Sequence, residues 1–152
     1  MDEINKKLLD HFMNPRNVGI IENPDGYGQA ENPVNGYRTD YYIRVKNDEI
    51  VDIKFKTFGC VVTVASASAL TVVLTGKSLK EIVDSKHPLT SMLELLQREI
   101  GDVPEKNWHC PPSVILSFFT ALEDYYQKNS DSERVKKIDM ILLEIRQYFE
   151  KN

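Results

Sequence analysis

The sequence predicts an α+β domain, and two observations carry that reading. The stretch "DYYIRVKNDEIVDIKFKTF", residues 40–58, holds two alternating apolar and polar runs either side of a polar turn at Lys46 to Glu49. This is the pattern of a half-buried β-hairpin. Beyond it the apolar spacing turns helical and stays so almost to the last residue. Strands followed by helices, rather than interleaved with them, mark the α+β class. The chain of 152 residues has room for one real hydrophobic core.

Taken in order, a first helix is expected from Asp2 to Met13, with Ile4, Leu8, Leu9 and Phe12 on one stripe. The stretch "NPRNVG" ends it, since Pro15 disfavours helical geometry at Asn14 and Gly19 permits a turn. Residues 20–38, rich in Gly, Pro and Asn, read as a long loop with room for one short strand. In the second arm of the hairpin Val51, Ile53 and Phe55 are expected on the buried face. The next stretch, Val62 to Thr75, reads as a buried helix closed by Gly76, and its "ASASA" centre leaves room for another backbone to come close. Ser78 and Glu81 form the capping box of a short helix. Further helices are expected over Thr90 to Ile100 and from Pro111-Pro112 to Lys128. After a linker, "QKNSDS", Val135, Ile138, Ile141, Leu142, Ile145 and Phe149 repeat at helical spacing over Ser132 to Lys151. The organisation expected is therefore one domain over 1–128, with 129–152 as linker and amphipathic helix.

Composition narrows the function. Hydrophobic residues make up 41%, charged residues 28%, and the net charge is −4 with no dense Lys/Arg cluster. That excludes a general nucleic-acid binder. The longest apolar stretch is too short and too rich in Ser and Thr for a membrane span. The N-terminal "MDEINKKLLDHF" has no apolar signal core, so a cytoplasmic protein with reduced thiols is expected.

The chain has two cysteines, and each falls at a predicted helix start: Cys60 after "FG", and Cys110 within "NWHCPPS". A helix N-terminus favours the thiolate that metals and sulfur chemistry require. Burial as small hydrophobes is the competing account, and on composition alone the favoured one. A Cys-His nucleophile is disfavoured, because neighbours in an extended segment point apart and His109 would be badly placed to take a proton from Cys110. His11 reads as structural, His87 as a solvated turn residue before Pro88, and Trp108 as core.

A resemblance shifts that balance. "LLDHFMNPRNVG", "FKTFGC", the pair "HC" and the later "ALEDYY" occur in the order and at the spacing of the IscU/NifU-type iron–sulfur cluster assembly scaffolds, which the chain resembles over about residues 5 to 125. The resemblance implies a three-stranded antiparallel sheet with helices packed on one side, and a scaffold rather than an enzyme. It also implies a site for zinc or iron, or for a transient [2Fe–2S] cluster, fed with sulfur by a cysteine desulfurase and passed to acceptor proteins. Carried over residue by residue, Cys60, His109 and Cys110 are the metal and cofactor ligands, with Cys110 the sulfur acceptor.

The chain also departs from that pattern. In "VNGY", Asn35 stands where the scaffolds have their first cysteine and Tyr37 where they have an aspartate. An Asn amide is a weak neutral ligand beside a thiolate. Asp40, three residues from Tyr37, is expected on the opposite strand face. The stretch "VPEKN" before Trp108 keeps only one proline of the family's chaperone-recognition motif, with Asn107 in place of its lysine. Three functions stay open on this footing: a divergent scaffold, an interaction module on the same fold without metal chemistry, and a zinc-dependent sulfur relay. A homo-oligomer in which two chains share the missing ligands is open as well.

Overall fold

A computed structural model describes residues 4–152. Over these residues the order is α1 (Lys6–Met13), β1 (Gly26–Glu31), β2 (Arg38–Lys46), β3 (Glu49–Thr57), α2 (Val61–Leu74), α3 (Leu79–Val83), α4 (Pro88–Ile100), α5 (Cys110–Lys128) and α6 (Ser132–Lys151), with a 3-10 turn at Glu105–Asn107. The strands form one antiparallel sheet in sequence order, so the α+β class and the three-stranded sheet are as the sequence and its resemblance imply. One face of the sheet is apolar, with Thr39, Tyr41, Ile43, Ile53 and Phe55 buried under the helices. The other face carries Tyr27, Asp40, Tyr42, Lys54 and Lys56, none of them buried.

The hairpin turns at Asn47 and Asp48, both in the left-handed region, as a tight two-residue connection requires. Its register differs from strict alternation at one point. Arg44 pairs with Asp52 but Val45 pairs with Ile50, so Val51 is an extra residue in β3. The bulge turns Ile50 into the core and leaves Val51 exposed, reversing the expected face of Val51. A period-2 reading cannot anticipate an inserted residue.

Helix α2 is the central element. Apolar or small on every side, it is buried along nearly its whole length, as such a helix must be. Its small residues admit neighbours as expected. The hydroxyl of Tyr41 donates to the Ala67 carbonyl (2.9 Å), and Ser68 Oγ takes the Arg16 N–H (2.9 Å) while lying 2.8 Å from His11 Nδ1. Gly76 follows the helix in the left-handed region and donates its N–H to Ile50 (2.7 Å).

Two expected helix starts move by two residues or more. Helix α1 starts at Lys6, capped by the Asn5 side chain, and the expected start at Asp2 lies outside the described residues. Its buried positions are Leu8 and His11, while Ile4 and Leu9 are exposed. His11 is therefore structural; burial pushes its pKa down despite Glu99 at 3.5 Å. Helix α4 starts two residues early, at Pro88, with His87 as an exposed N-cap, because proline is favoured in a first turn.

Helix α5 lies across β1 and β2, and two glycines make this possible. A Cβ on Gly26 would stand 2.5 Å from the Ala121 carbonyl oxygen, and one on Gly28 would stand 2.2 Å from the Ala121 nitrogen. Strand and helix therefore meet backbone to backbone. Helix α6 packs its apolar stripe of Ile138, Ile141, Leu142, Ile145 and Phe149 into the same core. We expect Gly28→Ala to destabilise the fold by about 3 kcal/mol or more, the upper range of overpacking costs. Urea unfolding measures it, and a loss below about 1 kcal/mol would contradict so close an approach.

Candidate functional site

The topology gathers three connecting segments at one end of the sheet. Glu31 pairs with Arg38 and Thr39 with Thr57, so the loop 32–37 and the exit of β3 lie side by side. From that exit, Phe58-Gly59 leads into Cys60, the N-cap of α2. The 3-10 turn at Glu105–Asn107 leads through Trp108 and His109 into Cys110, the first residue of α5. Two helix N-termini thus converge on one point, each with a sulfur at its start.

The sulfurs are 3.7 Å apart. Two thiolates on one tetrahedral zinc or iron ion, each about 2.3 Å from it, stand about 3.8 Å apart. The spacing of Cys60 and Cys110 therefore suits a shared ion with little movement. His109 joins them, with Nδ1 3.8 Å from Cys110 Sγ. This corrects the expectation that the neighbours point apart: the backbone at His109 is helical (φ −78°, ψ −14°) rather than extended. The structure brings together all three residues expected at the site.

The environments of the two thiols differ. Cys60 is half-buried, and burial pushes its thiol pKa up. Hydrogen bonds to the Thr63 hydroxyl at 3.4 Å, to the first N–H groups of α2 and to Cys110 outweigh that and leave it below the ordinary value. Gly59 lets Thr63 sit there, since a Cβ at 59 would lie 2.7 Å from the Thr63 Cβ. Cys110 is fully buried. Burial, with a further contribution from the neighbouring charge of Cys60, pushes its thiol up to about 12. The helix start therefore does not make Cys110 acidic, as it was expected to. Desolvation wins there.

The residues standing where the scaffolds have ligands behave differently. Asn35 turns its side-chain oxygen back to the Tyr37 N–H (3.0 Å), and the Tyr37 ring is exposed. Asp40 lies on the solvent face, held by Arg38 (2.7 Å) and the Tyr27 hydroxyl (3.0 Å), as its strand position requires. The loop contributes another residue instead. Asn32, buried, places its amide nitrogen 2.8 Å from His109 Nδ1. Asn107 points its own amide at Cys60 Sγ from 3.8 Å. Among the described residues no set of three or more Cys, His, Asp or Glu side chains is arranged to hold a metal ion.

Sequence reasoning missed Asn32 and Thr63. The pair Asn32-Pro33 reads only as a turn, and nothing local links position 32 to position 109. Trp108 was expected in the core and is partly so. Its ring meets His109 edge-on at 5.7 Å and packs against Tyr148 and Phe149 of α6, each at 5.9 Å.

Comparison with known proteins shows what the chain is similar to. Residues 3–132 match the family model of the NifU-like N terminal domain. The "Iron-sulfur cluster assembly scaffold protein IscU 1" of Archaeoglobus fulgidus is 37% identical over 134 residues, covering 88% of this chain and 84% of its own. The IscU scaffold protein of Aquifex aeolicus is 37% identical over 138 residues, 90% of this chain and 84% of its own. Among solved structures, a NifU-like N-terminal protein of Brucella abortus superposes with a TM-score of 0.51 at 21% identity, covering 97% of this chain and 95% of that one. A scaffold protein for the SUF system from Fervidobacterium islandicum gives 0.50 at 24%, covering 88% and 87%. These structures share the fold.

The unequal thiols make a prediction for the metal-free protein. At pH 8 iodoacetamide alkylates Cys60 first, and Cys110 follows at least about tenfold more slowly, because only the thiolate reacts. Peptide mass spectrometry over time reads the order. Equal rates, or Cys110 first, would contradict the environments described.

Proposed function

This chain belongs to the family of NifU-like N-terminal domains, and we propose that it is a divergent scaffold of iron–sulfur cluster assembly whose site is Cys60, His109 and Cys110. It acts as a holder of metal and sulfur rather than as an enzyme. The observation that carries the reading is the pair of sulfurs 3.7 Å apart at two converging helix starts, within a chain matched over residues 3–132.

The cargo is iron or zinc, or a transient [2Fe–2S] cluster. Cys60 and Cys110 supply the two thiolates and His109 the nitrogen, with the remaining position taken by water or by a second copy of the chain. Cys110 is the sulfur acceptor. Its thiolate attacks the outer sulfur of a persulfide on a cysteine desulfurase, and the desulfurase thiolate leaves. A bound cation deprotonates a coordinating thiol, which overcomes the pKa of about 12 that Cys110 has without metal. Iron–sulfur acceptor proteins then receive the product. The unit that does this is residues 1–128, with 129–152 as linker and covering helix, and the reducing cytoplasm suits its two free thiols. No helix among the described residues is long and apolar enough to cross a membrane.

One observation favours a second reading. Asn35 and Tyr37 offer the site no ligand, and no complete ligand set is arranged among the described residues. On that reading the fold docks on a desulfurase without metal chemistry of its own.

Elemental analysis of protein purified without oxygen separates the two readings. The scaffold carries near-stoichiometric zinc or iron, and the docking module carries none. Anaerobic titration with iron, cysteine and a desulfurase should build a visible chromophore. Cys60→Ser or Cys110→Ser should weaken metal binding by more than the roughly 10–100-fold typical of a lost outer partner. If the wild type gains neither metal nor chromophore, the scaffold reading fails.

A further inference from the structure

Asn32 is tied on every side. Its backbone N–H donates to the Tyr37 carbonyl (2.8 Å) and its carbonyl accepts from the Gly36 N–H (2.7 Å), which closes the loop 32–37 on itself. Its side-chain oxygen accepts from the Val34 N–H (2.9 Å). That last bond fixes which way the amide faces, because turning it over would set its NH2 against the Val34 N–H. The NH2 group must therefore be what lies 2.8 Å from His109 Nδ1. An NH2 group only donates, so Nδ1 must accept, and the ring proton sits on Nε2.

We propose that Asn32 is a positioning residue for this site. Its amide locks His109 in the tautomer with its proton on Nε2, keeps the Nδ1 lone pair beside Cys110, and is the group that an incoming metal ion displaces. Val34 satisfies only the oxygen of the amide, and the NH2 needs an acceptor of its own. Here the second half of a side chain only 2% exposed is aimed into a histidine only 7% exposed. Trp108 closes another side of the ring, so neither ring nor amide is free to reorient in solvent. The loop that lost the family's ligands thus still reaches the site, through a placeholder on the nitrogen that a metal would use. The displacement half of the proposal rests on His109 being a ligand. The tautomer half does not.

The test uses the full chain labelled with nitrogen-15 histidine, stripped of metal, and read by long-range proton–nitrogen correlation. In the wild type, His109 should show protonated Nε2 and unprotonated Nδ1. In Asn32→Asp, which keeps the oxygen that accepts from Val34, the second oxygen accepts rather than donates. Nδ1 should therefore carry a proton. Asn32→Ala should give a mixture. Protonated Nδ1 in the wild type, or an Asn32→Asp protein with the wild-type pattern, would overturn the proposal whatever the metal result. Zinc is then added. In the wild type the His109 Nδ1 and Asn32 NH2 signals should move together, and Asn32→Ala should bind zinc about threefold or more tighter, having no amide to displace. A loss of stability alone cannot produce a gain in affinity. Zinc that binds without moving His109 would overturn the displacement, and with it the role of His109 as ligand. Absence of any zinc binding in the wild type would overturn the displacement too, and also the scaffold reading, while the tautomer result stands separately.

Discussion

Everything at the site depends on how closely α5 lies on the sheet. Gly26 and Gly28 have no side chain, so α5 rests on β1 backbone to backbone near Ala121. That contact sets where the first residue of α5 falls, about three turns away toward the helix start. Cys110 comes within 3.7 Å of Cys60 because α2 is anchored just as firmly, by Tyr41, Ser68 and its own full burial. Two rigid helices fixed to one sheet hold two sulfurs at a metal-like spacing. A loop-borne pair would have no such constraint. The loop 32–37, short and closed on itself, then brings Asn32 to the same point.

Proximity does not make the two sulfurs alike. Both occupy helix starts, where the partial positive charge favours a thiolate. Cys60 keeps that advantage because it is half open and surrounded by donors. Cys110 loses it to burial. The site is thus asymmetric before any cargo arrives, with one sulfur ready and one withheld. In a scaffold that receives both a metal and a sulfur, such a difference imposes an order on the steps. On the proposed scaffold reading, a cation would meet the accessible thiolate first and would then make the buried thiol available.

Most of the fold was legible in the sequence because local pattern and tertiary environment agree. The hairpin, the buried α2, the capping serine at Ser78 and the whole of α6 all obey simple periodicities or caps. What stayed hidden was non-local or irregular. The bulge at Val51 breaks the alternation by one residue, and α1 exchanges its expected Leu9 for His11 because Ser68, 57 positions away, receives the imidazole. At the site, Cys60, His109 and Cys110 were visible as residue types, and the resemblance joined them. The bend that folds His109 back onto Cys110 was not visible, since a 3-10 turn of three residues leaves no periodicity. Nor was Asn32, whose role exists only because position 109 lies across the fold from it.

The stack of Trp108 between His109 and the last turns of α6 gives the protein a built-in optical probe. This is the one tryptophan in the chain, and its indole touches the site histidine on one side and Tyr148 and Phe149 on the other. Emission excited beyond the tyrosine band therefore arises at the site and nowhere else. Its intensity responds to the charge and ligation of a neighbouring imidazole, and its colour to whether the C-terminal helix keeps water away. Both the occupancy of the site and the seating of α6 can thus be followed in the unmodified protein, without a label and in real time.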